Sequence, residues 1–149
     1  METVPPHDIC PITRSLDLIG ERWSILIIRD VFYGVRRFDA LQRHLGISKK
    51  VLAGRLARLQ QANIFRKVPY QQKPERFEYR LTQKGRDLFP VLLTMMRWGN
   101  RWLDEKSKPH LILMHLGCGE VVEPELVCSH CKKPLSPASV RAEISNRSG

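Results

Sequence analysis

The link Leu45-Gly46-Ile47-Ser48, followed by leucines at positions 52, 56 and 59, constrains the fold more than any other feature of the chain. Gly46 stops one helix and Ser48 offers the oxygen that caps the next, so two helices meet across a tight turn. Leu52, Leu56 and Leu59 recur at i, i+4 and i+7, on one stripe of a helix over Lys49–Ala62 that must face a core. At about 100° per residue, Lys50, Gly54, Ala57 and Arg58 point the opposite way, with Lys49 and Arg55 on the flanks. An ordinary solvated face mixes glutamate with lysine. This helix contains no acid at all.

The neighbouring segments supply the rest of a small architecture. Cys10-Pro11 reads as an N-cap with proline at the first helical position, and Ile12, Leu16 and Ile19 line a short helix that Gly20 ends. Trp23 to Tyr33 predicts a second, strongly apolar helix. Phe38, Leu41 and Leu45 line a third. Ile64–Tyr70 and Arg76–Leu81 are β-prone runs either side of Gln71-Gln72-Lys73-Pro74-Glu75, which predicts a hairpin with a polar, basic tip. The stretch between the two cysteine-bearing pairs, Glu120–Val127, is expected to form a further hairpin. Thr82 caps a last long helix reaching to about Asp104, kinked at Phe89-Pro90. Its apolar residues Leu88, Val91, Leu92, Met95, Met96, Trp98, Trp102 and Leu103 cover more than one face, so a second copy of the chain is the expected cover. The fold class is mainly α (α+β): a winged helix-turn-helix with a two-stranded β wing, a long C-terminal dimerisation helix and a small cysteine-rich appendage. Residues 8–106 are expected to form the main domain and 110–149 the appendage.

Charge narrows the function. The 149 residues carry a net +10, and Arg36–Arg86 alone holds 14 basic residues against the acids Asp39, Glu75 and Glu78, a block of +11. Residues 110–149 balance at 4 basic and 4 acidic. A concentrated positive field raises affinity for polyanions, of which nucleic acid is the commonest. No apolar run approaches the ~20 residues that cross a bilayer, and residues 1–10 lack the apolar stretch of a signal peptide, so a cytoplasmic protein with no membrane contact is expected. Three short helices, an acid-free helix and a basic-tipped hairpin describe a winged helix-turn-helix, in which the fourth helix enters the major groove. Gly54 costs such a helix about 1 kcal/mol relative to alanine, which close approach to DNA or close packing would each explain.

The ordered motifs Cys10-Pro11, Leu16-Asp17-Leu18-Ile19-Gly20-Glu21-Arg22-Trp23, Arg37-Phe38-Asp39-Ala40-Leu41, Gly46-Ile47-Ser48, Val51-Leu52-x-x-Arg55-Leu56-x-x-Leu59, Pro74-Glu75-Arg76-Phe77-Glu78-Tyr79-x-Leu81-Thr82 and Gly85-x-x-Leu88-x-Pro90-Val91-Leu92 resemble the HxlR-type transcriptional regulators, from about Asp8 to Leu103. The resemblance implies a homodimeric winged-helix regulator related to the MarR class, a repressor or an activator, that binds inverted-repeat duplex DNA operators. It implies a dimer interface made by the first and last helices. It also implies a recognition helix over Ser48–Gln61 and a wing tip over Gln71–Glu75. The expected DNA contacts are Arg37, Ser48, Lys49, Lys50, Arg55, Arg58, Lys73 and Arg76, though Arg55 borders the buried stripe and has the alternative of an internal ion pair.

The cysteines divide into one near the start and three near the end. Cys10 sits at a helix N-terminus, where free N–H groups favour the thiolate. In the resembled family a cysteine at this Cys-Pro position serves some members as a sensor of thiol-reactive or oxidative stress, and an inert packing role is the alternative. His115-x-x-Cys118 and Cys128-x-x-Cys131 are two pairs offset by 13 residues. That spacing suits a His-Cys pair facing a Cys-Cys pair in a tetrahedral, structural zinc site, with His110 or His130 as substitute ligands. A regulatory disulfide and plain free thiols are the alternatives. Enzymes are poorly served: there is no His-Glu-x-x-His, no Gly-x-Ser-x-Gly and no phosphate-binding glycine loop. A thiol oxidoreductase would need a βαβ frame around Cys128-x-x-Cys131, which is absent. A protein- or RNA-binding winged-helix module is the remaining alternative, and the acid-free helix argues against it.

Overall fold

The computed structural model describes residues 5–103 and 111–143. Its elements run α1 (Pro11–Ile19), α2 (Arg22–Phe32), α3 (Phe38–Leu45), α4 (Lys49–Gln61), β1 (Phe65–Gln72), β2 (Glu75–Leu81), α5 (Gln83–Arg86) and α6 (Phe89–Trp102), with a single 3₁₀ turn at Pro137–Ser139. The chain divides into two units, His7–Pro90 and one that starts at Val91.

In the first unit α2 is the hub. Ile27, Ile28 and Val31 on α2, Leu41 on α3, Leu52, Leu56 and Leu59 on α4, and Ile64, Phe65 and Tyr79 on the hairpin close one core. Burying each of the three α4 leucines contributes ~2 kcal/mol, which fixes the face that α4 turns inward. One charge is buried with them. The Asp30 carboxylate receives Arg29 Nη2 at 2.6 Å and His44 Nδ1 at 2.6 Å, so the ion is paired on both oxygens and joins α2 to α3. Gly46 closes α3 with φ +65°, a left-handed turn that costs a side-chain-bearing residue about 1–2 kcal/mol. Ser48 then caps α4 by accepting from Val51 N–H at 3.2 Å.

β1 and β2 pair antiparallel, Phe65 opposite Leu81 and Gln72 opposite Glu75, so the connection shrinks from the expected five residues to Lys73-Pro74. A register shift between Pro69 and Gln71 leaves Tyr70 outside the ladder. The expected kinked helix after Thr82 is instead two helices. Thr82 caps the one-turn α5, and α6 begins at Phe89 with Pro90 in its first turn. A proline there lacks only an N–H that would have no partner inside the helix, so it starts α6 and kinks nothing. Asp104, the expected end, lies outside the described residues.

The second unit joins most of α6 to two small hairpin turns, with bridges Met114–Val121 and Val127–Pro134. The expected hairpin over Glu120–Val127 is not formed; each turn encloses one of the cysteine-bearing pairs. Arg97 Nη1 donates to the Pro124 carbonyl at 2.8 Å and Asn100 Nδ2 to the Leu111 carbonyl at 3.1 Å, which seats the first turn on α6.

Candidate nucleic-acid interface

α4 is held from behind and open in front. Glu21 caps α2 by accepting from the backbone N–H of Trp23 at 3.1 Å and Ser24 at 3.2 Å, and the same carboxylate oxygen meets Arg55 Nε at 3.1 Å. Arg58 donates to the carbonyl of Asp17 near the end of α1. Arg55 therefore takes the internal pairing, and Arg58 is a strap between α4 and α1. Each keeps guanidinium N–H groups beyond the one so engaged, so a phosphate contact by either would be made with the remaining donors. The outward face carries Lys49, Lys50, Ala53, Gly54 and Ala57, all exposed. A Cβ built on Gly54 would meet nothing within 4 Å, so packing inside the chain does not explain this glycine. The Ser48 hydroxyl is committed first to its cap.

The other expected contacts gather at the wing. Arg37, which precedes α3, lays its guanidinium 4.3 Å from the centre of the Tyr70 ring, the residue that the register shift turns out of the ladder. Arg37, Lys67, Tyr70 and Arg76 share the walls of one open cleft of about 420 Å³ with the acids Asp39 and Glu75. Lys73 stands exposed at the hairpin tip.

A second basic group was not foreseen. Arg36, Arg66, Arg80 and Arg86 surround a cleft of about 360 Å³ floored by Val31, Phe32 and Leu81. Arg66 and Arg80 are direct cross-strand partners, a like-charge arrangement that costs stability unless screened, and Glu78 pairs with Arg80 at 2.5 Å. Strand alternation carries the signal for this pair, but only once the register is known.

The sulfurs are placed as follows. Cys10 caps α1 and is half-buried; the backbone N–H of Thr13 and then its hydroxyl hold the thiol below its ordinary pKa, against the opposing effect of burial. His115 Nδ1 lies 3.3 Å from Cys118 Sγ. The backbone N–H groups of Cys131 and His130 hold the Cys128 thiol below its usual value. Each pair is thus locally formed, but among the described residues no three His, Cys, Asp or Glu side chains are gathered to hold an ion. His110 lies outside the described residues. Among these residues, no helix is long and apolar enough to cross a membrane.

Comparison with known proteins agrees with this geometry. The family model of HxlR-like helix-turn-helix proteins matches residues 18–107. An uncharacterized HTH-type transcriptional regulator of Mycobacterium tuberculosis is 45% identical over 132 residues, covering 89% of this chain and 84% of the relative. Among solved structures, PA1607, a candidate transcription factor, superposes with TM-score 0.82 at 36% identity, over 93% of this chain and 95% of the other. The reduced form of the transcriptional regulator YodB from Bacillus subtilis superposes with TM-score 0.55 at 34% identity, over 64% of this chain and 96% of the other. YodB has also been solved after diamide treatment.

Proposed function

The chain belongs to the HxlR-like helix-turn-helix family of transcriptional regulators, which are not enzymes, and on that premise we propose that it represses transcription as a homodimer seated on an inverted-repeat duplex operator. The observation that carries this reading is the front of α4, an exposed face of Lys49, Lys50, Ala53, Gly54 and Ala57 without an acid. Small residues in the middle let the helix backbone come close to base edges, while lysines at its N-terminal end and Arg37, Lys73 and Arg76 beside it reach phosphates. The dimer is supported by large apolar side chains left in water. Ile12 and Leu16 on α1 are 71% and 58% exposed, and Trp98 and Trp102 on α6 are 58% and 65% exposed. Side chains of this size seldom face solvent together in a monomer.

Control is proposed at Cys10, whose thiol Thr13 holds below its ordinary pKa and which stands at the N-cap of α1, the helix that carries the exposed Ile12 and Leu16. Oxidation or alkylation there would change the spacing of two α4 helices that must sit about one DNA turn, ~34 Å, apart. We place this action in the cytoplasm. The test is a mobility-shift titration with duplex DNA from upstream of the protein's own gene. Two chains per duplex, and loss of the shift after diamide in the parent protein but not in Cys10→Ser, support the reading. Binding by one chain would remove the dimer, and equal loss in both proteins would move the sensor off Cys10.

A further inference from the structure

The two turns after α6 are copies of one another. At His115, the residue's N–H donates to the Glu120 carbonyl at 2.8 Å and Gly119 N–H returns to His115 at 2.7 Å. At Cys128, the N–H donates to the Lys133 carbonyl at 2.9 Å and Lys132 N–H returns to Cys128 at 2.9 Å. The flanking bonds also correspond, Val122 to Leu113 at 2.7 Å and Leu135 to Leu126 at 2.8 Å. In each copy the residue after the second member of the pair is left-handed, Gly119 at φ +77° and Lys132 at φ +61°. Lysine in that conformation is uncommon, so the second turn keeps the shape without the glycine that would make it easy.

What the shared frame does is place two soft donors, at n and n+3, on each turn: an imidazole and a thiol on the first, two thiols on the second. Backbone bonds shape each turn, and no buried side chain supports them. None of residues 111–143 is buried, and Leu116 is 100% exposed. Two tight turns without a core need another source of stability, and a metal ion is the usual one at this size.

From the repeated turns we propose a structural zinc site made by His115, Cys118, Cys128 and Cys131: the described residues gather no three such donors as they stand, and one ion would draw the two matching turns together. Three thiols and one imidazole are the donors zinc selects, in a closed tetrahedral shell. The nine residues between Cys118 and Cys128 span roughly 30 Å when extended, ample to bring the turns face to face. On binding, the three thiols release their protons and the imidazole coordinates as the neutral ring, leaving a site of net charge −1. Since Arg97 and Asn100 hold the first turn on α6, the ion would order the segment against that helix. This inference does not depend on the DNA-binding reading, and its test does not use DNA.

The experiment is metal analysis of the full-length chain purified under reducing conditions, followed by cobalt(II) titration of the metal-free protein. One ion per chain is expected, with the intense visible bands of tetrahedral thiolate-bound cobalt, bleached by zinc. Cys118→Ser and Cys128→Ser should each abolish the bands, and His115→Ala should weaken or shift them. His130→Ala, a histidine within the second turn but outside the donor set, keeps them and controls for folding. Absence of bound ion with all four thiols reduced overturns the site. So does a six-coordinate cobalt spectrum, or a site that survives Cys118→Ser but not His130→Ala.

Discussion

Arg55 and Arg58 occupy α4, the helix proposed to face DNA, yet each is engaged by protein, Arg55 by the Glu21 carboxylate and Arg58 by the Asp17 carbonyl. Helical periodicity gives the direction of a side chain's root and not the reach of a guanidinium, so neither partner was legible beyond the remark that Arg55 borders the buried stripe. Lys50 is a different case: exposed in the first turn of α4, where a duplex phosphate is the natural partner. Lys50→Ala should weaken duplex binding about tenfold, equally on specific and unrelated sequences, and lower the slope of log affinity against log salt by about 1. Its thermal midpoint should match the parent's; fluorescence anisotropy and calorimetry read the two quantities. At Cys10 the sign follows from Thr13, whose N–H and hydroxyl stabilise the thiolate. A depressed pKa leaves more thiolate at neutral pH than the ordinary cysteine value of about 8.5 allows. The pH profile of iodoacetamide labelling should therefore show a fast phase with a midpoint below that value, falling off only as pH drops through the lowered pKa. The part of that phase mapped to the Cys10 peptide should vanish in Cys10→Ser, leaving any contribution of Cys128, whose thiol is also held below its usual value. A midpoint at the ordinary value would make Cys10 a packing residue.

At the scale of elements, α1 to α4 could be read directly because each ends on a strong signal: proline after Cys10, Gly20, Gly46, the Ser48 cap, and leucines one helical turn apart. The hairpin was legible as two strands, but not its register, so neither the displaced Tyr70 nor the Arg66–Arg80 pair could be foreseen. Pro90 was read as a kink because the apolar pattern runs on through it; the break at Asp87 and Leu88 is local geometry that periodicity does not encode. The 13-residue offset of the terminal pairs was visible, but the turns were expected between them and formed around them. Within α4, Gly54 makes the sharpest test. Since a Cβ there meets nothing, Gly54→Ala should raise stability by about 1 kcal/mol, seen as a higher denaturant midpoint. The same methyl group would stand between the helix and the groove, so operator affinity should fall tenfold or more. A variant that gains stability and keeps its affinity would show that the glycine has no part in binding.

For the molecule as a whole, the proposed function asks two things of the chain: a positive surface for DNA and exposed apolar side chains for a second copy. Trp102, 65% exposed, is the more exposed of the two tryptophans on α6, Trp98 being 58% exposed. Trp102→Ala should move the sedimenting species from dimer toward monomer at micromolar concentration, while an unaltered dimer would take Trp102 out of the interface. The positive surface follows from charge that is concentrated in sequence, +11 over Arg36–Arg86 against zero over 110–149. The most direct measurement of the central claim is equilibrium anisotropy of the labelled upstream duplex across a salt series, with unlabelled unrelated duplex as competitor. The account predicts that log affinity falls linearly with log salt, with a slope of several units, and that the upstream duplex outcompetes the unrelated one at physiological salt. Affinity that is flat with salt, or equal for the two duplexes, would contradict it.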